Sequence, residues 1–204
     1  RTARDWWSGP AGANLALSLS VTPALEPPPL TLVAAACALA ATLDRFGAGP
    51  AAVKWPNDVL LRGRKVAGLI GEWRSGDSPS VLLGAGVNVR IAPPDEVARR
   101  AATCVDAVLG SHGLPPASRS QLLVDWLYGL ERRLIRTTRL GPAELEDEFL
   151  TRLRLWAPCG VRENKSRNGG RLLEFRFASG LAWESEGSIL RRPLAAIADL
   201  EALP

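Results

Sequence analysis

Leu15, Leu17, Leu19 and Val21 alternate with Ala16, Ser18 and Ser20, and this period of two predicts a strand with one buried face. Pro27-Pro28-Pro29 then breaks the pattern. Residues 30–46 are rich in Ala and Leu and apolar on nearly every side, with Thr31 an early polar position. They predict a largely buried helix ended by Gly47-Ala48-Gly49-Pro50. Short strands are expected at 52–55, 58–61, 65–73 and 81–89, with Pro56-Asn57-Asp58 and Arg62-Gly63-Arg64 as the first two turns. After Pro93-Pro94 the period becomes helical. Residues 96–109 read as a helix or broken helix, 118–136 as a helix and 144–155 as a shorter one after Gly141-Pro142. Leu122, Leu123, Trp126, Leu127, Leu130 and Leu134 recur at helical spacing on the second, where Trp126 and Tyr128 are expected to pack in the core. From Pro158 the runs shorten to 172–177, 181–184 and 187–191 between Gly-, Ser- and Asn-rich turns, which suggests a small β unit.

A chain of 204 residues, 47% hydrophobic, supports one substantial domain with a small appendage. No apolar run is long enough to span a bilayer, and no signal peptide pattern is visible. The net charge of +4 comes from scattered arginines. The densest group, Arg132-Arg133 with Arg136 and Arg139, shares its turns with Leu130, Leu134 and Ile135 and reads as the solvated side of an amphipathic helix. A nucleic-acid surface would cluster basic and aromatic residues on one face, so the residues present do not support one. Cys37, Cys104 and Cys159 are widely spaced and form no metal-ligand pair; reduced, mostly buried thiols in a cytoplasmic protein are expected. His112, inside Gly110-Ser111-His112-Gly113, reads as a solvated loop residue, which disfavours histidine catalysis.

Lysine usage changes the picture. The chain has three lysines against twenty-two arginines. Two of the three fall in Val53-Lys54-Trp55-Pro56-Asn57-Asp58-Val59-Leu60-Leu61-Arg62-Gly63-Arg64-Lys65-Val66-Ala67-Gly68. A lysine offers a compact charge that can bridge oxygens of two groups, where arginine offers a planar fork. Lys54 is therefore the first candidate for chemistry, against the default of a solvated surface lysine. Further on, Gly84 and Gly86 leave one side of a strand bare, either for a flat ligand or for a bulge. Asn88 can present an amide to a base edge or simply form a turn. Asn57 and Asp58 read first as turn-shaping residues.

This segment resembles the signature of biotin protein ligases, with Lys54-Trp55-Pro56-Asn57-Asp58, an apolar run, and then Gly63-Arg64-Lys65-Val66-Ala67-Gly68. The strand Gly84-Ala85-Gly86-Val87-Asn88 follows at the family's distance, and Arg1-Thr2-Ala3-Arg4-Asp5-Trp6-Trp7 looks like the end of its arginine-rich loop. The resemblance implies an α/β (α+β) fold, a mixed sheet with flanking helices, class II synthetase-like, and a small SH3-like C-terminal β domain. The expected division is a catalytic domain at 1–155 and the small domain at 156–204. It also implies a reaction in which biotin and ATP, with Mg²⁺, give biotinyl-5′-adenylate. A lysine of a biotin carboxyl carrier protein then takes the biotinyl group.

By the same resemblance Lys54 and Arg1 are catalytic, while Lys54, Val59, Gly84 and Gly86 hold biotin. Arg1, Arg4, Trp6 or Trp7, and Asn88 hold the nucleotide, and Asp58 is the one candidate near a metal ion. A homodimer is among the implied partners and a membrane is not. The chain contains no methionine and opens where the family loop would end, so a catalytic domain lacking its N-terminal portion is expected. A binding module without turnover and a lipoate ligase of the same fold are the alternatives, and the intact Lys-Trp-Pro-Asn-Asp favours biotin.

Overall fold

The alternating segment at the start of the chain is strand β1 (Leu15–Val21), with its leucines half-buried and Ala16, Ser18 and Ser20 exposed. The structure is a computed structural model that describes residues 7, 9–22, 25–27, 29–77, 79–98, 100–163, 168–197 and 199–204. Strands β2 (Ala51–Lys54), β3 (Asp58–Leu61), β4 (Arg64–Arg74) and β5 (Ser80–Val87) follow helix α1 (Pro29–Arg45). They join β1 in a five-stranded sheet of order β1-β5-β4-β3-β2. Every pairing between these strands is antiparallel, because each consecutive pair from β2 to β5 is joined by a short hairpin that reverses direction. The α/β class is as expected; the mixed strand directions are not seen among the named strands. Arg62 and Gly63 both have positive φ (51° and 74°) in the two-residue β3–β4 turn, the geometry that matches strand twist.

Helix α1 is buried almost all round, which is why its sequence shows so weak a polar face. It lies between the sheet's inner side and α3 (Arg119–Leu140), where the Trp126 indole donates to the Ala35 carbonyl at 2.9 Å. Ser118 caps α3 by accepting from the Gln121 N–H. Trp126 is fully buried, but Tyr128 is 59% exposed with the Arg132 guanidinium over its ring. Two residues along a helix lie on nearly opposite sides, so one tryptophan in the core turns Tyr128 outward. The expected helix at 96–109 is only α2 (Val105–Ser111). Its upstream part instead runs along β4, with Lys65 N donating to Ala101 O and Thr103 N to Lys65 O, each at 2.9 Å. Tertiary backbone bonds there displace a weak local preference for helix.

Helix α4 (Ala143–Trp156) leads into a second antiparallel sheet of order β10-β6-β7-β8-β9. Its strands are β6 (Val161–Glu163), β7 (Gly169–Arg176), β8 (Gly180–Ser185), β9 (Ser188–Arg192) and β10 (Leu200–Ala202). The three longest match the expected runs; β6 and β10 are three-residue strands too short for any period to show. One apolar cluster runs through both sheets, and Trp55, Phe149 and Phe175 meet at the seam with ring centroids 4.5–6.1 Å apart. Cys37 and Cys104 are buried free thiols and Cys159 is exposed; burial, with Glu148 adding to it, pushes the Cys37 thiol well above its ordinary range.

Candidate active site

Residues directly opposite one another in an antiparallel pair point to the same side of the sheet. Lys54 stands opposite Asp58, Asp58 opposite Gly68, Gly68 opposite Gly86, and Gly86 opposite Ala16. These five residues therefore form one row across all five strands, on the side turned away from α1. The next row along that side carries Ile70, Gly84 and Ser18. Gly68 and Gly86 bring no side chain of their own to the middle of the sheet, and Gly68 is buried there beneath the side chain of Lys65. Ile70, 61% exposed, leans over Gly84, where an added Cβ would come within 2.8 Å of its Cγ1.

Lys65 reaches this side through an irregularity. The register shifts between Val59 and Leu60, so that Leu60 faces Lys65 and β4 carries one extra residue. Val66 and Ala67, adjacent in sequence, are then both buried, and Lys65 is turned to the same side as Gly68. Its ammonium lies 3.0 Å from where a Cβ on Gly68 would be and 2.5 Å from Asp58 Oδ1. With 37% of its side chain exposed, Lys65 keeps room for further partners, since an ammonium has three donors. The broken alternation in Lys65-Val66-Ala67-Gly68 was the sequence sign of this bulge.

Lys54 has a different setting. Only 4% exposed, it places Nζ 2.8 Å from Asp199 Oδ1 and 5.3 Å from the centre of the Trp156 ring. Its charge is neutralised in the seam with the second sheet, by the Asp199 carboxylate. Val59 faces the other way. It is fully buried in the row Val53–Val59–Ala67–Val87 on the inner side, away from Gly84 and Gly86. Asp58 holds Lys65, and among the described residues no three His, Cys, Asp or Glu side chains gather to hold a metal ion.

Asn88 does come to the site. It follows β5 directly, its amide donates to Thr103 O at 3.1 Å, and its backbone N–H donates to Val66 O. The stretch that pins Lys65 thus also fixes Asn88. Asn14 shapes the rim beyond it, its Oδ1 accepting from the N–H groups of Val89, Arg90 and Ile91. The ring of Trp7 packs over Gly9 beside Ile91. Arg1, Arg4 and Trp6 lie outside the described residues.

Comparison with known proteins bears on this arrangement. The sequence profile of the Biotin/lipoate A/B protein ligase family matches residues 3–88. A biotin–[acetyl-CoA-carboxylase] ligase of Paracoccus denitrificans is 35% identical over 184 residues, 83% of this chain and 72% of that protein. The bifunctional ligase/repressor BirA of Escherichia coli K12 is 36% identical over 102 residues, 47% of this chain and 31% of that protein. The chain thus spans about a third of the length of the ligase/repressors it matches. In fold it resembles the biotin protein ligase of Aquifex aeolicus solved with biotin and ATP, at TM-score 0.76 and 22% identity over 94% of this chain and 79% of that one.

Proposed function

The chain belongs to the biotin protein ligase family, and on that premise we propose that it converts biotin and ATP to biotinyl-5′-adenylate and pyrophosphate, then biotinylates a carrier protein. In the first step a carboxylate oxygen of biotin attacks the α-phosphorus, and pyrophosphate leaves with the bonding pair. Both reactants are anions, so a fixed positive charge between them lowers the barrier most. The single observation that carries this reading is the Lys65 ammonium standing over Gly68, beside Gly86, on the side of the sheet turned away from α1. Lys65, rather than Lys54, is the group we assign to the carboxylate and the α-phosphate, with Asp58 aiming it.

Gly68, Gly84 and Gly86 form the floor for the fused rings of biotin, and Asn88 lies where the nucleotide base would follow. Arg1, Arg4 and Trp6 are assigned to a loop over the adenylate. Mg²⁺ enters bound to ATP, as part of the substrate. In the second step a neutral lysine amine of a biotin carboxyl carrier protein attacks the acyl carbon, AMP leaves, and the amine loses a proton. The division at 155/156 and a homodimer belong to this reading, and three free cysteines fit the reducing cytoplasm.

The test is biotin-dependent exchange of labelled pyrophosphate into ATP, with lipoate run in parallel. Exchange with biotin and not lipoate is the expected result, falling on the order of 10²-fold or more in Lys65→Ala, as for loss of a donor aimed at developing charge. Exchange that survives Lys65→Ala and fails in Lys54→Ala would return the role to Lys54.

A further inference from the structure

Asp199 does more than neutralise a buried lysine. Its Oδ1 accepts from Lys54 Nζ at 2.8 Å, while Arg100 donates to both carboxylate oxygens at 3.1 and 3.2 Å. The two cations belong to the two segments that hold Lys65. Lys54 ends β2 directly opposite Asp58, whose carboxylate holds the Lys65 ammonium. Arg100 begins the stretch in which Ala101 O and Thr103 N bond the Lys65 backbone and Ala102 O receives the Arg64 side chain. One carboxylate, just ahead of β10 in the second sheet, therefore ties together both sides of the Lys65 mount.

We propose that Asp199 is a positioning residue for Lys65, so that the second sheet sets the aim of the ammonium without touching the ligand. This rests on the assignment of Lys65 to the biotin carboxylate. Charge-assisted bonds to a half-buried carboxylate are the strong class of hydrogen bond, and here they bridge segments more than ninety residues apart in sequence. Nearby ion pairs of the same sheet have no such reach: Arg162 and Glu201 join only β6 to β10.

The property to measure is the preference for biotin over biotinamide, in which the carboxylate is replaced by a neutral amide. Calorimetric titration of the chain with each compound gives it without any turnover. The unsubstituted protein should prefer biotin by about tenfold or more, the scale of one charge-assisted bond. Lys65→Gln should erase the preference. Asp199→Asn should reduce it by about threefold or more, with affinity for biotinamide little changed. A merely structural loss would weaken both compounds together. Arg100→Gln, at an exposed position, removes the other arm of the clamp and should shift the preference in the same direction if Asp199→Asn folds poorly. Glu201→Gln should leave it alone. A preference kept or raised in Asp199→Asn or, where that variant does not fold, in Arg100→Gln overturns the proposal alone. Absence of any preference in the unsubstituted protein overturns the assignment of Lys65 and this proposal with it.

Discussion

Three ångströms separate the Lys65 ammonium from the space above Gly68, and that distance decides what residue 68 can be. An alanine there would meet both Nζ and Cε of Lys65, at 3.0 and 3.1 Å. A flexible side chain can move aside, so the fold should survive while the ammonium leaves its place. Gly68→Ala is therefore expected to lose about tenfold or more in pyrophosphate exchange, since small misplacements of a catalytic group are costly. Its melting temperature should stay within a few degrees of the parent, because strands tolerate a Cβ better than glycine's absence of one. A variant with parental exchange would mean that the ammonium acts from elsewhere. Lysine scarcity pointed to the segment and could not choose between its two lysines. Both Lys54 and Lys65 lie there, and only their surroundings, Asp199 for one and Asp58 with Gly68 for the other, tell them apart.

Strands and turns of the second sheet use glycine for a different purpose. A Cβ on Gly170 would fall 1.6 Å from the carbonyl oxygen of Glu184, and one on Gly160 or Gly180 would fall about as close to backbone. Backbone cannot rotate away as a side chain can. Gly170→Ala should therefore force β7 off β8 and cost roughly 3 kcal/mol or more, among the large effects of single substitutions. Denaturant unfolding would show it as a lowered midpoint, and an unchanged midpoint would mean the strands are not held this close. At this scale the bulge in β3–β4 is the feature that sets the direction of Lys65. It costs one ladder position and turns Lys65 from the inner to the outer side.

Across the whole molecule the two sheets share one apolar cluster, with Trp55 of the β2–β3 turn packed on Phe149 and Phe175. The Trp55 indole also donates to Ile197 O at 3.3 Å. Lys54, next in the chain, is held by Asp199. Such a seam predicts that both sheets unfold together, in one transition that tryptophan fluorescence and far-ultraviolet circular dichroism report at the same denaturant concentration. Trp55→Ala should lower stability by about 3–5 kcal/mol, the usual range for deleting a buried aromatic. Two separated transitions in the parent would show that the seam couples the units only weakly.

Periodicity placed β1 and helices α3 and α4 within a few residues, because each is long enough for its buried side to repeat, while α1 showed through its unbroken run of Ala and Leu between breakers. Motif order alone brought the family to view, and Lys54, Asp58, Gly68 and Gly86 from those motifs share one row of the sheet. What the sequence could not fix was which side of the sheet each residue takes. That depends on register, and a single bulge between Val59 and Leu60 decides that Lys65 and Gly68 share one side of β4. Nor could it reveal that residues 101–103 would pair with Lys65 rather than coil into a helix, since that bond is made only when β4 is already in place. The family was written locally, in which residue types occur together. The choice between Lys54 and Lys65 was tertiary, because charge is neutralised by whatever carboxylate the fold brings near, and Asp199 arrives from 145 residues away.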